Sequence, residues 1–144
     1  MYILDTDHLS LIQRNGQEGK LIGAKLATIE PSVEVAVTVI TYEEQIRGRL
    51  SVISKAKTPE EQVTAYQGLQ QLTLDYRSIP IVPFCRTAAL EYQRLRKAYR
   101  RLGSKDLKIA AIALTNNAIL LTRNDSDFGQ IVELVTENWS RVIL

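Results

Sequence analysis

Short apolar segments alternate with longer amphipathic ones along this chain, and this alternation constrains the fold more than any other feature. The strand-like segments cover residues 2–4, 33–40, 79–83, 118–121 and 132–135. From Ala88 to Leu102, apolar residues recur every three or four positions, which is the spacing of one helix face. Strands that alternate with helices favour an α/β fold of three layers (α/β/α), with a central, mostly parallel sheet. Pro80 and Pro83 place the third strand at an edge.

The composition is that of an ordinary globular protein, and we expect a single domain spanning residues 1–144. Hydrophobic residues make up 45% of the chain, and the formal net charge of +2 permits an anionic partner without requiring one. No apolar run approaches the ~20 residues of a membrane helix, and no signal peptide is recognisable. The single cysteine, Cys85, excludes an intramolecular disulfide and indicates a cytoplasmic protein. Its apolar neighbours predict a buried thiol.

Polar residues near the expected helix starts predict the N-caps. Thr41 is expected to cap the helix after the second strand, and Ser104 the helix before the fourth. Asp7 is expected to cap the first helix, although it would also add charge near Asp5. His8, the single histidine, is expected to be a surface or capping residue of that helix, with a role as metal ligand or general acid as the less favoured alternative.

Acidic residues lie at the end of the first strand-like segment, on the helix after the second, at the start of the helix before the fourth and in the loop after the fourth. They are, in chain order, Asp5, Glu43, Glu44, Asp106, Asp125 and Asp127. In a parallel sheet the carboxyl ends of the strands share one edge, so these side chains would gather there. Clustered carboxylates suit Mg²⁺ or Mn²⁺, which prefer oxygen ligands, whereas one histidine and one cysteine supply too few ligands for zinc.

Each acid taken singly also has a purely structural explanation. Asp106 could complement the dipole of its helix, and Asp125 and Asp127 could be turn residues. Glu43 and Glu44 project about 100° apart on a helix, so at most one of them faces the site. The pattern of all the acids together is what favours a metal site.

Four motifs resemble those of PIN domains in both order and spacing. They are Leu4-Asp5-Thr6-Asp7, Val39-Ile40-Thr41-Tyr42-Glu43-Glu44, Asp106-Leu107-Lys108-Ile109-Ala110-Ala111 and Leu121-Thr122-Arg123-Asn124-Asp125-Ser126-Asp127-Phe128. Within that family the chain is most similar to VapC-type toxins of toxin–antitoxin modules. The resemblance extends over nearly the whole chain and implies a PIN-like fold.

The resemblance implies roles for particular side chains. The catalytic and metal-binding residues would be Asp5, Glu44, Asp106 and Asp127. The polar residues beside them, which would orient waters or phosphate oxygens, are Thr6, Asp7, Thr122 and Asn124. The fourth acidic position stays open between Asp127 and the pair Asn124 and Asp125, because many PIN domains have Asp where this chain has Asn124.

The family also implies an activity and partners. PIN domains are metal-dependent ribonucleases, so we expect hydrolysis of RNA phosphodiesters by water that Mg²⁺ or Mn²⁺ activates between Asp5 and Asp106. Candidates for contact with the RNA backbone are the basic residues Arg94, Arg96, Lys97, Arg100 and Arg101, which could equally form a solvated helix face. Arg123, beside the acidic loop, is better placed to meet a phosphate. Among the aromatic residues, Tyr42 and Trp139 are candidates for stacking on a base, with a place in the core as the alternative. VapC-type toxins pair with a small antitoxin protein, whose C-terminal segment covers the active-site groove, and they commonly form homodimers.

Two other functions fit parts of the sequence. Asp5-Thr6-Asp7 is an Asp-x-Asp motif, as in haloacid-dehalogenase-like phosphatases, where the first Asp is the nucleophile. Leu9 stands where that motif has Thr or Val. A PIN fold retained as a non-catalytic binding module is the other alternative, and the presence of Asp5, Glu44 and Asp106 argues against it.

Overall fold

The computed structural model describes residues 1–142. Its strands and helices are β1 (Tyr2–Leu4), α1 (Thr6–Arg14), α2 (Gln17–Leu26), β2 (Val35–Thr38), α3 (Val39–Lys55), α4 (Pro59–Asp75), β3 (Ile81–Val82), α5 (Arg86–Ala98), α6 (Ser104–Thr115), β4 (Ile119–Leu121), α7 (Asp125–Phe128) and β5 (Thr136–Glu137). Among residues 1–142, no helix combines the length and the apolar character that crossing a membrane requires.

The five strands form one parallel sheet in the order β3-β2-β1-β4-β5. β1 is the central strand, and its Leu4 lies opposite Val37 of β2 and Leu121 of β4. β3, with its flanking prolines, is at an edge, as the sequence predicts.

The central strand is buried on both faces of the sheet. Ile3 packs into an apolar cluster with residues of α5 and α6, whereas Leu4 packs into a second cluster with residues of α1 and α2. Neighbouring residues of a strand point to opposite faces, so the two clusters lie on the two sides of the sheet. The predicted α/β/α fold with a parallel sheet is thereby confirmed.

The junction of β2 and α3 differs from the sequence-based prediction. The strand ends at Thr38, and Val39 already belongs to the helix. The Thr38 hydroxyl accepts a hydrogen bond from the Thr41 backbone N–H over 3.2 Å, so Thr38 is the N-cap of α3. The prediction that Thr41 caps this helix is therefore wrong. The β-branched residues at positions 39 and 40 resemble a continuing strand, although the chain turns into a helix without any loop.

Three further expectations are wrong. The last strand is Thr136–Glu137, so residues 132–135 precede it instead of forming it. Gly103 takes the N-cap position of α6, and Ser104 is the first residue of that helix. Cys85 is exposed, because it stands at the N-cap position of α5, outside the apolar layer.

Candidate active site

Asp5 lies where β1 ends and α1 begins, at the carboxyl edge of the sheet. Its backbone N–H donates to the Leu121 carbonyl of β4 over 3.0 Å. Its carboxylate Oδ1 accepts the backbone N–H of His8 over 2.7 Å, so Asp5 is the N-cap of α1 and the prediction that Asp7 caps it is wrong. The side chain is buried. Two strands and a helix therefore hold this carboxylate in a fixed place.

Burial raises the pKa of the Asp5 carboxyl to about 6, from an ordinary value of 3.8. The negative charges of Asp7 and Asp106 raise this pKa further, whereas hydrogen bonds from the Thr122 side chain and the His8 N–H lower it. Removing a charged carboxylate from water disfavours its ionised form. The ionised form of Asp5 is thus costly in the metal-free protein, and a bound cation would relieve that cost.

Asp106 is in the first turn of α6. Burial raises the pKa of its carboxyl, and the charges of Asp127 and Glu44 raise that pKa further. The charge of Asp106 in turn raises the pKa of Asp5. The fold therefore brings the four predicted acids near enough for their charges to interact.

Glu44, and not Glu43, points toward this group of acids. The Thr6 hydroxyl donates to Glu44 Oε1 over 2.8 Å, and it lies 3.0 Å from the Thr41 hydroxyl. Glu43 forms an ion pair with Arg47 on the exposed side of α3. The two consecutive glutamates thus have different surroundings.

The short helix α7, which follows β4, places Asp127 near enough to Asp106 for their charges to interact. The Asn124 side-chain amide donates to Asp127 Oδ2 over 3.1 Å, and the Asn124 backbone N–H donates to the Thr122 hydroxyl over 2.9 Å. Asp125 instead accepts a long hydrogen bond of 3.5 Å from Thr136 of β5. Of the residues considered for the fourth position, Asp127 is the one whose charge raises the pKa of Asp106.

Arg123 is held by two carboxylates beside the site. Its guanidinium donates to both carboxylate oxygens of Asp7, over 2.6 and 3.0 Å, and to Glu18 over 2.6 Å. An RNA phosphate at this position would have to compete with both acids. Both carboxylate oxygens of Asp7 therefore accept hydrogen bonds from the Arg123 guanidinium.

His8 is fully buried, so the prediction of a surface or capping residue is wrong. Its Nε2 accepts the Trp139 backbone N–H over 3.2 Å, and Nδ1 lies 3.7 Å from Asp5 Oδ1. Burial lowers the pKa of the imidazole to about 4, so the ring is neutral at pH 7. Trp139 is buried too, which excludes the predicted stacking on a base, whereas Tyr42 is 36% exposed.

One potential ligand atom from each of Asp5, Asp7 and His8 lies within 4.8 Å of the other two. Glu44, Asp106 and Asp127 do not join this tight group within residues 1–142. Asp7 is already paired with Arg123. Of the tight group, Asp5 is therefore the residue best able to bind a cation.

Comparison with known proteins decides the family. A sequence model of the PIN domain matches residues 2–134. The chain belongs to the PIN domain family. It is similar to Ribonuclease VapC1 of Haemophilus influenzae, with 28% identity over 142 residues that cover 98% of this chain and 99% of the relative. Ribonuclease VapC2 of Rickettsia felis is 30% identical over 93 residues, which cover 62% of this chain and 65% of the relative.

Solved structures with the same fold support this assignment. The structure of VapBC-1 from nontypeable Haemophilus influenzae matches with a TM-score of 0.75 and 26% identity, covering 97% of this chain and 98% of that one. VapBC2 from Rickettsia felis, solved with a DNA fragment from its promoter, matches with a TM-score of 0.74 and 26% identity. That match covers 96% of this chain and 98% of that one.

The acidic group of this PIN domain fits a divalent metal ion. All four donors are carboxylates, the ligand type that Mg²⁺ and Mn²⁺ prefer. Burial and mutual repulsion raise the pKa of Asp5 and of Asp106, as expected where negative charge is gathered without a counter-ion.

Two open grooves offer basic side chains to an anionic ligand. The α1–α3 groove, of about 390 Å³, is lined by residues that include Glu44 of the acidic group, its hydrogen-bond donor Thr6, and two arginines, Arg14 and Arg49. Sequence reasoning missed these two arginines, although each shares a helix with a site residue. The α5–α6 groove, of about 710 Å³, is lined by residues that include Arg96, Lys97 and Arg100.

The remaining basic candidates differ in their surroundings. Arg94 is engaged by Glu91 and Glu133, with N–O distances of 2.5 and 3.3 Å. Arg101 is exposed. Among the α5 residues, those of the α5–α6 groove are thus better placed for RNA than Arg94.

Proposed function

We propose that this PIN-domain protein is an endoribonuclease that hydrolyses RNA phosphodiesters with a bound Mg²⁺ or Mn²⁺ ion. The ligands would be Asp5, Glu44, Asp106 and Asp127. The observation that supports this most directly is the group of mutually repelling carboxylates at the carboxyl edge of the parallel sheet. The similarity to curated proteins named ribonuclease supports RNA as the substrate.

A divalent ion bound there would activate a water molecule and offset the charge that develops on the phosphate. The residues of the chain hold its ligands in place. Asp5 is fixed by the His8 N–H, and Glu44 is oriented by the Thr6 hydroxyl. Asp127 is oriented by the Asn124 amide. Such hydrogen bonds to ligating side chains are a general requirement of metal sites.

The RNA would reach the acids through the α1–α3 groove. This groove includes Thr6 and Glu44, and its arginines, Arg14 and Arg49, can neutralise backbone phosphates. Arg96, Lys97 and Arg100 would contact a more distant part of the strand. Arg123 would contribute less, because its guanidinium is already shared between two carboxylates.

We also propose that the protein is the toxin of a toxin–antitoxin pair and that it forms a homodimer. The solved relatives are VapBC assemblies, which supports a partner protein for this chain. Exposed apolar side chains on α3 and α4, among them Leu50, Val52, Val63 and Tyr66, offer a surface for such contacts.

The phosphatase alternative is disfavoured by the position of Asp7. In that reading Asp7 is the second Asp of the motif, and both of its carboxylate oxygens are bound by Arg123. This arrangement leaves it poorly placed to exchange protons with a substrate.

The test is cleavage of single-stranded RNA in Mg²⁺ or Mn²⁺, with and without EDTA, beside an assay for phosphate release from a phosphomonoester. We expect EDTA-sensitive RNA cleavage that is lost in Asp5→Asn and Asp106→Asn, each verified as folded by circular dichroism. Asp125→Asn is the matched control in the same acidic region and should keep its activity. Cleavage that survives both site substitutions would overturn the proposal, as would phosphate release without RNA cleavage.

A further inference from the structure

The imidazole of His8 joins the acidic group to the C-terminal part of the chain. The ring is fully buried. On one side Nε2 accepts the backbone N–H of Trp139, which follows β5. On the other side Nδ1 faces Asp5 Oδ1 at 3.7 Å. Within residues 1–142, Nδ1 is the buried side-chain nitrogen or oxygen that has no hydrogen-bond partner.

The contact with Trp139 decides where the ring carries its proton. A backbone N–H can only donate, so Nε2 must offer a lone pair. A neutral imidazole with a lone pair on Nε2 has its proton on Nδ1. Nδ1 is therefore a donor, which excludes it as a metal ligand in this state and directs an N–H toward the Asp5 carboxylate.

We propose that His8 is a positioning residue for Asp5. Its Nδ1–H restrains the carboxylate in the orientation that binds the divalent ion, and Trp139 holds the ring in the required tautomer. The inference rests on the metal site of the proposed function. A movement of less than about 1 Å would bring Nδ1 and Oδ1 to hydrogen-bond distance. A buried donor without a partner is unfavourable, which favours that movement.

Two substitutions of His8 separate positioning from packing. His8→Asn places an amide N–H near the position of Nδ1, so it keeps a donor for Asp5 and loses the acceptor for Trp139. His8→Gln places an amide oxygen near the position of Nε2, so it keeps that acceptor and loses the donor for Asp5. Leu11→Ala, a buried change on the same helix, is the control for lost packing.

The first measurement is Mn²⁺ affinity by isothermal titration calorimetry, with the melting temperature of each variant. We expect His8→Gln to weaken binding about tenfold or more, the usual effect of removing a partner of a metal ligand. His8→Asn and Leu11→Ala should stay within about threefold of the wild type. Equal affinity of the Gln variant and the wild type, or weaker binding by Asn than by Gln, would overturn the proposal.

The second measurement uses the fact that the chain has a single histidine. A long-range ¹⁵N–¹H spectrum then reports one imidazole, and we expect a protonated Nδ1 whose signal moves when Mg²⁺ is added. A protonated Nε2 would overturn the inference. If the wild type bound no Mn²⁺ at all, the metal site of the proposed function would fail first and this role of His8 with it.

Discussion

Replacement of Asp5 by Asn is expected to stabilise the metal-free protein at neutral pH while it removes metal binding. The ionised carboxylate of Asp5 is buried, and its pKa is raised to about 6 in the folded protein. Asn is uncharged and is as good an N-cap as Asp, so it can still accept the His8 N–H. The substitution therefore removes the unfavourable charge and retains the capping hydrogen bond.

The expected magnitude follows from the raised pKa. Folding raises the pKa of the Asp5 carboxyl from the ordinary 3.8 to about 6. The protonated group therefore contributes stability that is fully present below pH 3.8 and is lost as the pH rises through about 6. Each pKa unit corresponds to about 1.4 kcal/mol, so the complete loss above pH 7 is about 3 kcal/mol. Asp5→Asn avoids this loss, and a gain of that size corresponds to roughly 6–12 °C in melting temperature for a chain of this length.

The assay is urea unfolding of the wild type and Asp5→Asn in EDTA at several pH values. The advantage of Asp5→Asn in unfolding free energy should be about 1 kcal/mol at pH 4.5 and about 3 kcal/mol at pH 7.5. Saturating Mn²⁺ should stabilise the wild type alone and reduce the difference. An Asp5→Asn protein that is no more stable at pH 7.5, or an advantage that does not grow with pH, would refute the reasoning.

Three further predictions concern other parts of the molecule. Glu44→Gln should lower RNA cleavage at least tenfold, whereas Glu43→Gln should stay within twofold, and similar losses would contradict the orientation of α3. Gly19→Ala should lower the melting temperature, because its Cβ would overlap the backbone oxygen of Leu11 in α1. Gly23→Ala, where nothing lies within 4 Å of the added Cβ, should instead stabilise α2 by about 0.5–1 kcal/mol. If Gly19→Ala were also stabilised, the close packing of α1 and α2 would be contradicted. Arg49→Gln should reduce by about 0.7 the slope of log RNA affinity against log salt concentration, measured by fluorescence anisotropy. An unchanged slope would remove Arg49 from the interface.

The sequence predicts the layers of this fold well, because hydrophobic spacing is a local property. The stripe from Ala88 to Leu102 forms the α5 helix and the turn that follows it, and the two prolines beside β3 mark an edge strand as expected. The placement of Asp5 beside Leu121 follows from the parallel order of the strands alone. The single domain and the homodimer stay predictions.

The surroundings of the site residues could not be predicted, because they depend on contacts between distant parts of the chain. The buried His8 accepts the backbone N–H of Trp139, which lies 131 positions away. Asp7 is paired with Arg123, 116 positions away. From their sequence neighbours alone, Asp7 and His8 are recognisable only as part of a helix start. No sequence pattern connects Asp7 to Arg123 or His8 to Trp139.

The central claim is that carboxylates from separate strands and helices share a divalent ion. It is tested most directly by anomalous diffraction from crystals of the protein soaked in Mn²⁺. We predict a manganese peak bound by Asp5 and Asp106, with Glu44 and Asp127 around it. A peak bound by Asp7 or His8 without Asp106, or the absence of any peak at these acids under saturating Mn²⁺, would contradict the account.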